Sequence, residues 1–580
     1  MPARADLHVH SKFSNRPTEW LLQRAAAAES YTEPLDLYRK AKARGMDFVT
    51  ISDHDTIDGA LEIAHLPGAF LSCEATVTFP EDGCQIHLLT FGITEAQFGT
   101  IDRLRGNVYE LRDYLKGEGI LCSVAHPLFR VNERLTLAHL EKLLVLFDRF
   151  EARNGIHDAG EADLVRRILS SLTPEMAWDL AERHRLEFWG ERPWEKSFTG
   201  GSDDHGGHYI ATTWTETPDA DEPFGYLAHL HAGLAEPGGE AGSSRRLTQS
   251  LYAIAADWHQ RAVPFWALGA RFDPFARLLG DLARPAETAR RESDPVERAS
   301  AVGREVVRKL ARRIERKVKR GKFGSALEGL AELAPLGLAL APHLIAVRAQ
   351  SKDRDLIASA AARFGAGRTG GEKRLWWIDD PEELVSPSAA ARGLFAEVAR
   401  RGGSIEAVLC GPGNPDSPAG DASGFEIPVR RFEPLLTLPL GEPGGPDISL
   451  PPLLEILDWA ERERPAEIVV GMPGPLGLAG LLVAKLLRLP VAALVRTDLP
   501  AAAHRLTREV FLEDLTRDVV RWFYGLADRL LVATRFEREL LIAEGFAPER
   551  IEIVTEAETA RVAEIEAEET PWEIAWADAR

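Results

Sequence analysis

Asp6-Leu7-His8-Val9-His10-Ser11, answered far along the chain by Gly201-Ser202-Asp203-Asp204-His205, is the stretch on which the reading of this sequence turns. His-x-His places two imidazoles on one face of a strand, because side chains repeat every second residue. Asp203 and His205 do the same with one carboxylate and one imidazole. Two such pairs, one opening and one closing a long segment, read as the two ends of one polynuclear metal site.

The segment between them holds further candidates. His54 lies in Ser52-Asp53-His54-Asp55, just after the apolar run Phe48-Val49-Thr50-Ile51. Glu74 follows the apolar stretch Ala69-Phe70-Leu71, His87 sits inside Gln85-Ile86-His87-Leu88-Leu89, and His126 closes Leu121-Cys122-Ser123-Val124-Ala125. Each lies on or just after an expected strand, with helical segments between. A (βα) barrel gathers its functional side chains at its C-terminal face in this way.

These motifs resemble the PHP (polymerase and histidinol phosphatase) family of metal-dependent phosphoesterases over residues 1 to about 215. The resemblance implies a distorted seven-stranded (βα) barrel with two or three divalent metals. It implies that His8 and His10 hold the first metal with Glu74 and Asp203. Glu74 would bridge to a second metal held by His87 and His126, and His54 and His205 would hold a third. Where the family often has an Asp in its opening motif, this chain has Asn15, a poorer ligand for a hard dication than a carboxylate. Mixed imidazole and carboxylate ligation suits Mn, Zn or Fe. Paired metals ~3.5–4 Å apart can activate a bridging water, so the resemblance implies hydrolysis of a small phosphorylated substrate. Asp53, Asp55 and Asp204 are candidates to protonate a leaving oxygen, or to orient the ligand imidazoles instead. Arg130 and Arg153 are candidates to neutralise a substrate phosphate, or to form surface salt bridges.

Composition bounds the rest. With 580 residues, 45% of them hydrophobic, the chain has room for several packed domains. Its four Cys show neither CxxC spacing nor a disulfide rhythm, which leads us to expect a reduced cytoplasmic setting. No leader-like apolar region precedes the first motif, and no run is long enough to span a bilayer. The net charge of −20 disfavours nucleic acid as a partner.

Residues 216–370 read as a helical linker region, opened by the Gly-rich Pro237-Gly238-Gly239-Glu240-Ala241-Gly242. Within it, residues 304–322 place Val307, Leu310, Ile314 and Val318 on one stripe. With ten Lys and Arg over 304–322, eight of them between Arg308 and Arg320, this is a basic amphipathic helix suited to peripheral contact with an anionic membrane at its inner face, or to packing on a neighbouring domain.

Residues 371–555 read as a doubly wound, Rossmann-like parallel sheet. Its expected strands are Arg374–Ile378, Ile405–Cys410, Glu467–Val470, Val491–Val495 and Arg529–Ala533, alternating with helices. The Gly471-Met472-Pro473-Gly474-Pro475-Leu476-Gly477 loop can offer backbone N–H groups to an anion. Over 465–554 this unit is similar to the N-terminal, acceptor-binding half of GT-B glycosyltransferases of family 4. The motifs are Met472-Pro473-Gly474-Pro475-Leu476-Gly477, Val495-Arg496-Thr497-Asp498 and Arg521-Trp522-Phe523-Tyr524-Gly525. Asp379-Asp380-Pro381 stands where such enzymes often carry a Gly-rich loop. Residues 556–580 read as an acidic tail without a donor-binding half. The chain alone is therefore expected to be a phosphoesterase and not a glycosyltransferase. The second reading is a carbohydrate-assembly protein whose C-terminal domain takes a glycosyl acceptor, its donor domain on a partner chain and its barrel regulatory.

Overall fold

A computed structural model describes residues 1–15, 27–262, 334–365, 373–379, 386–411, 427–439, 447–495 and 499–554. The described residues up to 365 form one compact unit and those from 373 onward another. The basic stretch 304–322 and the acidic tail 556–580 lie outside the described residues.

The N-terminal unit holds two sheets. In the first, β1 (Ala3–Asp6) pairs in parallel with β2 (Phe48–Val49) and antiparallel with β8 (Thr213–Thr217), which pairs with β9 (Glu236–Gly239). In the second, β3 (Ser72–Thr78), β4 (Gln85–Phe91), β5 (Leu121–Val124), β6 (Arg149–Asn154) and β7 (Ser197–Gly201) lie side by side. There β3–β4 and β4–β5 are antiparallel, and β5–β6 and β6–β7 parallel. Where a distorted seven-stranded (βα) barrel was expected, the described strands form two mixed sheets. The short turn between β3 and β4 is the physical reason for the first reversal, since a parallel neighbour needs a long crossover. The sheets are joined by isolated bridges, Val49 with Ala69, His54 with Glu74, and Val9 with Asp204, and by bonds of β7 to β8, where Thr215 Oγ1 donates to Gly200 O at 2.8 Å.

The segment expected as a separate linker belongs in part to this unit. It supplies β9 and the helices Ser244–Ala262, Ala334–Ser351 and Arg354–Arg363. The helix Ala334–Ser351 runs through Pro342, where a proline costs a backbone hydrogen bond. It packs on Ser244–Ala262, where Thr248 Oγ1 lies 3.2 Å from His343 Nδ1.

The C-terminal unit is a seven-stranded parallel sheet in the order β12-β11-β10-β15-β16-β17-β18. These strands are β10 (Lys373–Ile378), β11 (Ser404–Cys410), β12 (Val429–Phe432), β15 (Glu467–Val470), β16 (Val491–Leu494), β17 (Arg529–Val532) and β18 (Ile551–Ile553). A side hairpin, β13 (Leu436–Pro439) with β14 (Asp447–Leu450), stands apart. The doubly wound expectation holds here. β10 shows why: Trp376 and Trp377 point to opposite faces, yet both are fully buried. Trp376 stacks edge-on against Phe395 of the helix Ala389–Arg400. Trp377 lies against Gly480 of the helix Pro475–Leu487, where an added Cβ would come within 3.0 Å of the ring. A strand covered on both faces reads as a continuous apolar run.

The strand order reverses between β10 and β15, and the carboxyl ends of strands at such a switch point form the ligand crevice of open α/β sheets. Asp379, just past β10, stands in that crevice. Its carboxylate accepts hydrogen bonds from Leu476 N at 2.8 Å and Gly477 N at 2.7 Å, in the first turn of the helix Pro475–Leu487. Burial raises Asp379 to about 6, against the opposing pull of those two N–H groups. The backbone donors expected to receive an anion from outside already hold one belonging to the chain.

Candidate metal centre

His8 and His10 lie just past β1 and are fully buried. The two-residue repeat aims them the same way, while Val9 between them packs into the apolar cluster of Leu37 and Ile51. Asp203 and His205 follow β7, His54 follows β2, Glu74 and His87 face one another across β3 and β4, and His126 follows β5. The expected ligands from both sheets therefore converge.

Glu74 is the centre of the cluster. Its Oε2 lies 3.0 Å from His8 Nε2, 3.1 Å from His10 Nε2 and 3.2 Å from His54 Nδ1. Its Oε1 lies 2.9 Å from His87 Nδ1 and 3.2 Å from His126 Nε2. Asp203 Oδ1 lies 3.3 Å from both His8 Nε2 and His10 Nε2. Four groupings have ligand atoms within 4.8 Å of one another: His8-His10-Asp203, His8-Glu74-His126, His54-Glu74-His87 and His10-His54-His205.

The donor set fits divalent metals. His10 Nε2, His54 Nδ1, both nitrogens of His87 and His205 Nε2 are buried without a hydrogen-bond partner. Several of them lie at ion-pair distance from carboxylate oxygens yet are not aligned for a shared proton. Buried polar groups left so are costly unless something else satisfies them. Lone pairs of imidazole and carboxylate directed into one space are what Zn, Mn or Fe require.

Charge in the metal-free cluster is divided sharply. Burial disfavours a cationic His8, but Asp203, Glu74 and Glu151 outweigh it and hold His8 well above its usual value. Burial is likewise overcome at His10, which Asp203 and Glu74 raise to about 10. Against burial, the surrounding imidazoles keep Glu74 and Asp203 well below the usual carboxylate range. Burial lowers His54, His126 and His205. Protons on His8 and His10 thus stand where metal cations would, and metal binding must release them.

A test follows for the metal-free chain. His10 folded, at about 10, lies above its unfolded value near 6.5. The stability it contributes is complete below pH 6.5 and drains away as pH rises toward 10. Buried Lys196 is lowered to about 8, so its opposing effect begins only above that pH. Between pH 6.5 and 8, calorimetry in chelator should show the N-terminal unit losing roughly 2 kcal/mol. A flat or rising melting temperature over that window contradicts the protonated His10.

Two ligands hold unusual backbone. Asp203 has φ 50° and His126 φ 25°, conformations that cost non-glycine residues of order 1–3 kcal/mol. They are held by Asp203 N donating to His8 O at 2.6 Å and His126 N donating to Glu151 Oε2 at 2.9 Å.

Around the cluster stand groups that the sequence did not single out. Glu151 is buried, lies 3.0 Å from His8 Nδ1 and accepts from Asn154 Nδ2, which also donates to Asp203 Oδ2. It orients three ligands at once. The only sign of it was its place in an expected rim loop. Ser14 Oγ lies 2.9 Å from His10 Nδ1 and donates to Asp53 Oδ1.

The remaining expected site residues are placed elsewhere. Asn15 is exposed, outside the cluster. Asp53 is consumed by Ser11 N, Ser11 Oγ and Ser14 Oγ, and so orients His10 through Ser14. Asp55 accepts from Thr76 N and pairs with Arg105. Asp204 is buried and accepts from Tyr209 N. Arg130 forks onto Asp355 at 2.6 and 2.8 Å and donates to Leu135 O. Arg153 donates to Gly239 O. Arg130 thus makes the salt bridge given as the alternative to phosphate binding, and Arg153, beside a bulge in β6, bonds backbone. Arg130→Ala should lower stability by about 1–2 kcal/mol and leave the bound-metal count unchanged. A lost metal in that variant would return Arg130 to the site.

A cavity of ≈ 120 Å³ opens beside His54, His126 and His205. Its opposite wall is apolar, formed by Phe129, Leu247, Leu251, Ile254 and Ile345. Among the described residues lining it there is no Arg or Lys, so the cation expected to meet a phosphate group is missing from this wall.

Residues 387–555 match the family described as glycosyl transferase 4-like domain. A stretch of 67 residues is 37% identical to an uncharacterized protein of Methanocaldococcus jannaschii, covering 12% of this chain and 37% of that protein. The match therefore spans little more than a third of that curated relative. Among solved structures, the UDP-GlcNAc 2-epimerase of Methanocaldococcus jannaschii is similar at 18% identity, over 31% of this chain and 45% of that one, with a TM-score of 0.21. PsfC from Pseudomonas syringae is similar at 16% identity, over 45% of this chain and 99% of that one, with a TM-score of 0.27. The family match corrects the expectation of a phosphoesterase with glycosyl transfer set aside. The match is confined to residues 387–555 and marks them as similar to a glycosyl transferase 4-like domain.

Proposed function

We propose that this is a carbohydrate-assembly protein. Its glycosyltransferase 4-like domain binds a glycosyl acceptor, and its N-terminal unit is a metal-binding regulatory module. The observation that carries this reading is the family match over residues 387–555, which falls on the doubly wound sheet and includes the crevice side of β15.

On this reading the two N-terminal sheets, which hold nine strands among the described residues, enclose a distorted barrel of the PHP type around two or three Mn, Zn or Fe ions. His8, His10, Glu74 and Asp203 would hold one metal, and Glu74, His87 and His126 another. Bound metal supplies positive charge at the point where strand ends of both sheets meet. Glu151 and Ser14 hold the imidazoles in the orientation that ligation needs. On this reading the N-terminal module runs past residue 215 to include β9 and the helices up to residue 365, and the transferase-like domain is 371–555.

The test uses the full chain on an array of soluble and lipid-linked glycans, together with a transfer assay from UDP-sugars. Selective binding to a subset of glycans, or transfer onto one, supports the reading. Uniform absence of both overturns it.

A further inference from the structure

We infer that Glu29 supplies the carboxylate for a third divalent metal, joining His54 and His205 in the place where Asn15 was expected. The inference rests on the metal-binding reading of the N-terminal unit and assigns it a ligand that neither the sequence motifs nor the family resemblance indicated.

The three imidazoles form a group of their own. Rings of His10 and His205 stack at 4.1 Å, and those of His10 and His54 at 4.5 Å. Their ligand nitrogens fall within 4.8 Å of one another, and His205 Nε2 is buried without a hydrogen-bond partner. Neutral imidazoles alone leave the charge of a dication uncompensated, and Mn and Fe favour a carboxylate in such a site. Glu74 and Asp203 already serve the other groupings. Asn15 carries no charge and is exposed.

Glu29 is 8% exposed. Its Oε2 lies 3.5 Å from His54 Nε2, on the side of that ring away from Glu74. It lines the same cavity as His54 and His205, and its charge acts on His205. The backbone is built to hold it there. Glu29 N donates to Ser14 O at 3.1 Å, Lys12 N donates to Thr32 O at 2.8 Å, and Ser30 Oγ donates to His10 O at 3.4 Å. The segment around Glu29 is thus laid along the residues that follow His10. A carboxylate fixed beside His54 and His205 gives a donor set of two nitrogens and one carboxylate, with His10 Nε2 kept for the first metal, and such a mixed set suits Mn, Fe or Zn.

The experiment strips the full chain with chelator, reloads it with Mn, removes free metal and counts bound equivalents by plasma mass spectrometry. Wild type should hold three equivalents, Glu29→Gln two, and Asn15→Ala three. The selective loss of one distinguishes a missing ligand from misfolding, which would empty the unit. The assignment is overturned if Glu29→Gln keeps three or loses all, if Asn15→Ala loses one, or if wild type holds only one or two. Wild type that holds none sinks the metal-binding reading as well, which separates the two failures.

Discussion

Glu74→Ala should strip the N-terminal unit of at least two of its metals. One carboxylate faces five imidazoles, those of His8, His10, His54, His87 and His126, at 2.9 to 3.2 Å. It belongs to two of the four ligand groupings, and no other carboxylate among the described residues reaches His87 or His126 at ion-pair distance. The metal-free chain should suffer too. Glu74 is a counter-charge for His8 alongside Asp203 and Glu151, and removing one partner of a buried ion pair costs about 3–5 kcal/mol. Metal counting after Mn reloading, with a melt in chelator alongside, reads both effects. A variant that still binds two equivalents and melts with wild type would remove Glu74 from the centre of the site.

Gly201→Ala should be nearly as damaging, although Gly201 touches no metal. A Cβ there would lie 2.3 Å from His8 Cβ, 2.5 Å from His8 N and 2.8 Å from His8 Cα. Two of these atoms are backbone and cannot rotate away. Relief requires β7 to move from β1, and that contact is one of the few between the sheets, made by the Val9–Asp204 bridge and by Asp203 N on His8 O. Overpacking typically costs 1–3 kcal/mol and more when backbone must shift. Moving β7 also draws Asp203 away from His8 and His10. The expected outcome is a drop in melting temperature of more than about 5 °C for the N-terminal unit together with reduced metal retention. Unchanged melting and metal content would mean that the strands separate without strain.

The cluster residues were legible because they obey a period. His-x-His and Asp-x-His report the face of a strand, and ligands at strand ends follow from the alternation of apolar runs with helical segments. The Rossmann-like sheet was legible for the same reason, down to the paired tryptophans of β10. What escaped had no period to betray it. Glu29 sits in Ala28-Glu29-Ser30-Tyr31, which reads as loop, and only the fold brings it to His54. Glu151 was passed over because its neighbour Arg153 drew the functional role on the ground of charge, whereas a bulge between them breaks the pleat, leaving Glu151 on His8 and Arg153 on Gly239 O. The antiparallel pairings of β3, β4 and β5 were not legible, because the length of each connection, not strand propensity, decides strand direction. The phosphoesterase expectation failed differently. It took the chemistry of the whole chain from its opening motifs, while the family match lies on its other half.

Asp379 adds a competitor to the crevice of the transferase-like sheet. Its carboxylate occupies the two backbone donors at Leu476 and Gly477, and an added Cβ at Gly474 would lie 2.3 Å from its carboxyl carbon. A tethered group of this kind acts at an effective concentration on the order of millimolar or above. Any phosphate-bearing molecule arriving there must outbid a resident that never diffuses away. With Asp379 raised to about 6, mild acidification weakens the resident's hold, so occupancy of the crevice by outside anions becomes a contest decided by proton activity as well as by their own abundance.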